Sequence, residues 1–85
     1  MEGIDLSIEN LKEQLNELKQ KISQLRKQGL DTKIAVIMMM SVPSKIKMLE
    51  ITKDYKDLQK IINIINNARA EIDSLEKLTF SPRKS

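Results

Sequence analysis

A chain of 85 residues leaves room for one domain, and a domain of that size buries only a limited core. Cysteine and histidine are both absent, which excludes disulfides and zinc sites of the ordinary kind and leaves oligomerisation as the remaining reinforcement. The formal charge of +3 is modest but unevenly placed: residues 1–18 hold five acids against Lys12, whereas residues 19–60 hold ten lysines and arginines against four acids. A basic middle suits an acidic partner or a phosphate backbone. Nucleic-acid-binding domains show a stronger excess, however, so solvated lysines are the expected reading.

The first segment places apolar residues at Ile4, Ile8, Leu11, Leu15, Leu18, Ile22 and Leu25. Their alternating steps of four and three form a heptad seam, with Ile8, Leu15 and Ile22 at a and the other four at d. Good helix formers fill the gaps, acids crowd the first turns, and Lys19, Lys21, Arg26 and Lys27 crowd the last, as the helix dipole prefers. The e positions Lys12, Lys19 and Arg26 are basic, and g offers no acid to meet them. A simple parallel zipper is therefore disfavoured, and the seam is expected to face other helices of its own chain. Gly29 sits where a left-handed residue would end the helix, with Leu30 able to fold back on Leu25.

Asp31 or Thr32 should cap the next segment, and the short turn sends it back antiparallel. From Ile34 to Met40 every residue is apolar, which implies a helix buried all round or covered by a partner. Pro43 breaks or kinks it near residues 41–44. Ile46, Met48, Leu49 and Ile51 then continue a shorter helix. Thr52 or Asp54 can cap a last helix carrying Leu58, Ile61, Ile65, Ala68, Ile72 and Leu75, with Ile62 and Ile64 widening its stripe. No strong breaker separates the two, but the hydrophobic phase changes between Ile46/Leu49 and Tyr55/Leu58/Ile62. The expected fold is all-α: a single three-helix antiparallel, coiled-coil-like bundle over residues 1–78. Its helices span about 4–28, 32–52 (interrupted near 41–44) and 54–78, followed by a flexible basic tail at 79–85.

Two residue groups are candidates for contact with a partner. Met38, Met39 and Met40, with Val42 and Met48, form a flexible, polarizable set of the kind found on adaptable binding surfaces. Three consecutive methionines cannot all face inward, so this is where a partner or dimer contact is expected. Lys45, Lys47, Lys53, Lys56 and Lys60 form a candidate basic patch, with Tyr55 the one aromatic nearby for stacking. The tail Ser81-Pro82-Arg83-Lys84 resembles the Ser-Pro-basic units of some minor-groove binding tails, but four residues in one copy carry little specificity.

An enzyme is not expected. Without histidine or cysteine, chemistry would fall to Asp, Glu, Lys, Ser or Tyr, and no phosphate loop or metal-spaced acids are present. No cofactor or metal is expected either. The acidic start lacks the form of a secretory signal, and the longest apolar run is far below the ~20 residues of a membrane span, so a cytoplasmic setting is the default. The function expected is a helical protein–protein interaction module: an adaptor, assembly factor or subunit, with a homodimer as the leading assembly. The alternative is a nucleic-acid-associated accessory protein using the central lysines and the tail.

Overall fold

A computed structural model describes residues 2–80, with side chains described from residue 3 to residue 78. Its helices are α1 (Glu2–Lys27), α2 (Lys33–Met39), α3 (Val42–Thr52) and α4 (Tyr55–Phe80). Helices α2 and α3 act as one interrupted arm, so the chain is an all-α bundle of three helical rods. Consecutive rods run antiparallel, which leaves α1 and α4 parallel. Asp5 at the start of α1 meets Lys53 at the end of α3, and Gln14 of α1 meets Arg69 of α4. Extents of 54 × 19 × 17 Å describe a rod whose cross-section holds three helices and no further layer. No helix among the described residues is long and apolar enough to cross a membrane.

All seven seam residues of α1 are buried inside the single chain, from Ile4 at 1% exposure to Leu25 at 3%. They pack with Leu58, Ile61, Ile65, Ala68, Ile72 and Leu75 of α4, and with Ala35, Met39, Val42, Ile46 and Leu49 of the α2–α3 arm. Ile62 and Ile64 are half-buried against this core. Their widening of the α4 stripe follows from α4 touching α1, α2 and α3 together. Tyr55, grouped with that stripe by its phase, is instead exposed at the first turn of α4.

The turns follow from local chemistry. Gly29 has φ +88°, the Leu30 amide donates to the Leu25 carbonyl at 3.1 Å, and the Gly29 amide donates to that of Arg26 at 3.0 Å. This is a complete Schellman ending, with the left-handed residue supplied by glycine. Asp31 accepts the Lys33 amide at 3.0 Å, an Asx turn that launches α2, while the buried Thr32 occupies the cap position without a side-chain bond. Pro43 falls in the first turn of α3, where no helical donor is required of it. The Met40 amide reaches back only to Ile37, a tighter turn that closes α2.

The break between α3 and α4 is at Lys53, which adopts a left-handed conformation (φ 53°, ψ 35°) while its amide donates to Leu49 at 2.8 Å. Asp54 then caps α4, accepting the Lys56 amide at 2.9 Å. A lysine in this region carries a steric cost of about 1–2 kcal/mol that glycine avoids, set against glycine's greater entropy loss of roughly 0.5–1 kcal/mol. Lys53→Gly is therefore expected to stabilise the chain by about 0.5–1 kcal/mol. Urea unfolding at high salt, where the exposed pair with Asp5 is screened, measures it; a lowered midpoint would contradict the strain argument.

Candidate interaction surface

Helix α2 has two turns and seven residues, of which only Lys33 is charged. Its position against α4 is held by Ala35 and Met39, one turn apart and buried at 0% and 5% exposure. Successive side chains point about 100° apart, so fixing Ala35 and Met39 inward turns Ile34, Ile37 and Met40 outward. They are 56%, 59% and 72% exposed, and Val36 and Met38 between them are half-buried. The helix is thus not buried all round within its own chain.

Helix α2 packs chiefly against α4 and much less against α1. A groove of about 310 Å³ lies between α1 and the arm, floored by Ile22, Val36, Met39, Met40 and Pro43 and edged by Lys19, Ser23 and Arg26. A second hollow continues it past Leu30 and Ile37 to Asp31 and Lys33. Toward the other end, the same inter-helix seam passes Lys12, Leu15, Pro43, Ile46, Lys47 and Glu50. It finishes in a wider recess lined by Asp5, Leu6, Ile8, Glu9, Glu50 and Lys53. One side of the bundle therefore carries a long shallow groove whose α2 end is edged mainly by cations and whose opposite end is rich in acids.

Ion pairs pin the sides of the groove. Lys12 Nζ lies 2.6 Å from Glu50 Oε2, and the Glu50 carboxylate raises the Lys12 ammonium above the ordinary lysine range. The Lys53 ammonium donates to Asp5 and, through that bond and its charge, holds the Asp5 carboxyl below the usual range. Both pairs are exposed and add register more than stability. On the α4 side, Arg69 Nη2 donates to Gln14 Oε1 at 2.9 Å, and Lys21 lies 3.9 Å from Glu76.

The structure divides the methionine set. Met39 and Val42 are core residues, a correction to their expected place on a partner surface: of three consecutive methionines one must turn inward, and Val42 shares the inner face of α3 with Ile46 and Leu49. Met38 is half-buried, and only Met40 and Met48 are exposed. These two lie apart, Met40 in the α1-side groove and Met48 beside Lys45, Asp57, Lys60 and Ile61 between α3 and α4. Ile34, Ile37 and Leu6 were missed as surface residues. Their signals were present in the small Ala35 one turn before Met39, and in a leucine at an outward f position of the heptad.

The lysine group is divided as well. Lys45 and Lys60 share a hollow with Asp57, Lys47 faces the α1 side, Lys53 is engaged by Asp5, and Lys56 is exposed in the first turn of α4. The Ser81-Pro82-Arg83-Lys84 motif lies outside the described residues, and α4 runs through Thr79 and Phe80, where the tail was expected to begin. Among the described residues no three acidic side chains gather at metal-binding distance. Comparison of the chain with protein families, curated proteins and solved structures finds no match.

Proposed function

We propose that this chain is a small helical protein-interaction module: an adaptor, assembly factor or subunit that binds through the apolar surface of α2 and the adjoining groove. The observation that carries this reading is the outward set Ile34, Ile37 and Met40, three large apolar side chains in two helical turns, each more than half exposed. Scattered single apolar residues need no explanation, but a contiguous group beside an open apolar groove is the kind of surface that proteins cover with a partner. Affinity would come from a few anchors entering the groove, with Lys19, Arg26 and Lys33 selecting against basic partners.

The test compares capture of proteins from lysate by the wild-type chain and by Ile37→Glu/Met40→Glu. Both positions are exposed, so helicity and thermal midpoint should be unchanged within the range of surface substitutions, while captured proteins should be lost. Equal capture by both chains would count against the reading. So would submicromolar binding to mixed-sequence DNA or RNA with a steep salt dependence, the signature of phosphate contacts by the lysines.

A further inference from the structure

The groove has a charge pattern that names its own complement. Within the chain, Lys12–Glu50, Lys53–Asp5 and Lys21–Glu76 join α1 to its neighbours. Among the described residues no ion pair engages Glu9, Glu13 or Glu17 on the first half of α1, nor Lys19, Arg26 or Lys27 on the second. The α1 charges outside these ion pairs are thus sorted by sign along the helix, with Glu9 also in the field of the nearby Lys12. The exposed apolar groups are placed in the same way: Leu6, 66% exposed, stands at the acidic end, and the groove floored by Ile22, Val36 and Met40 opens at the basic end.

We propose that the occupant of this groove is a second copy of the chain, laid antiparallel along α1 about a two-fold axis. In that arrangement Leu6 of each copy enters the Ile22–Val36–Met40 groove of the other, and each Glu9 faces the other copy's Lys19. Register supports it: residue 14 is the midpoint between Leu6 and Ile22 and also between Glu9 and Lys19, so one axis at that level of α1, on the face away from the Gln14–Arg69 contact, serves both contacts. Leu6 and Ile22 lie about 24 Å apart along the helix at 1.5 Å per residue, and the two-fold makes every contact twice. A parallel copy would set Glu9 against Glu9, and a foreign acidic helix would satisfy only the basic half. The inference rests on the reading of the α1–α2 groove as a protein-binding surface and commits it to one partner.

Sedimentation equilibrium at low ionic strength tests it. The wild-type chain should pass from 9.8 kDa toward about twice that mass as concentration rises. Glu9→Lys and Lys19→Glu should each weaken association about tenfold or more, with helicity unchanged because both residues are exposed. Mixed in equal amounts, the two variants restore both ion pairs in the heterodimer and should recover wild-type affinity. Weakening by each reversal together with recovery on mixing is specific to the antiparallel pairing: a parallel copy, already like against like at both positions, would lose nothing in either variant, and a structural defect would persist on mixing. A wild-type chain that stays monomeric at every concentration overturns the second copy as occupant while leaving the capture test above intact. Dimerisation indifferent to both charge reversals, or a mixture no better than either variant alone, overturns the proposed arrangement.

Discussion

Ile65→Ala is expected to cost about 2–5 kcal/mol, the range for removing a large aliphatic side chain from a packed interior. Ile65 is 1% exposed at the middle of α4, the helix that touches every other helix of the bundle. A domain of this length has roughly 4–13 kcal/mol in total, so the loss takes a large share of it. At about 4–8 °C per kcal/mol for a chain of this size, the thermal midpoint should fall by at least about 8 °C. Ile37→Ala provides the comparison: the same side chain at 59% exposure should change stability by no more than about 0.5 kcal/mol. Circular dichroism melts of the two variants measure the difference, and equal losses would contradict the assignment of the core.

Ala68→Leu should be nearly as damaging for the opposite reason. Thr52 of α3 donates to Asp57 of α4 at 3.3 Å, and Lys45 and Lys60 line one hollow, which sets the antiparallel register of the arm on α4. Carried along the helices, that register brings Ala68, fully buried, opposite the end of α2. A small residue there allows the interrupted arm to approach α4 closely. Three added carbons have nowhere to go, and overpacking costs about 1–3 kcal/mol. The strain should fall first on α2, the shortest helix, so hydrogen exchange of the α2 amides should accelerate before that of α1 or α4. Ala70→Leu, at an exposed site on the same helix, should leave exchange unchanged; acceleration by both would remove the argument for close approach at Ala68.

Much of this architecture was legible because its determinants are local. The seam from Ile4 to Leu25, the Gly29 ending with Leu30 folded on Leu25, the interruption at Pro43 and the Asp54 cap all depend on periodicity or on one residue's backbone preference. The α3–α4 break was less legible. It occurs at Lys53, a residue with no preference for left-handed geometry, and it is held by the capping at Asp54 and the packing of Leu49 and Leu58 on either side. The candidate surface was legible only as a region. Three methionines in a row announce that something must face outward, but which of them does so depends on the direction from which α4 meets α2.

Composition and periodicity by themselves therefore determined that this chain is helical, where α1 and α2 end, and that the α1 seam suits the bundle of its own chain. Those properties follow from spacing and backbone chemistry. Tertiary structure decided which apolar residues remain uncovered. Met39 and Val42 face inward, into one core with Ala35 and Ala68, and α2 packs more on α4 than on α1. That packing leaves a groove beside Ile22 and Met40, with Ile34 and Ile37 facing solvent. A hydrophobic pattern states how much surface must be buried; the angle between helices, set by the volumes at their crossings, decides which part of it is left for a partner.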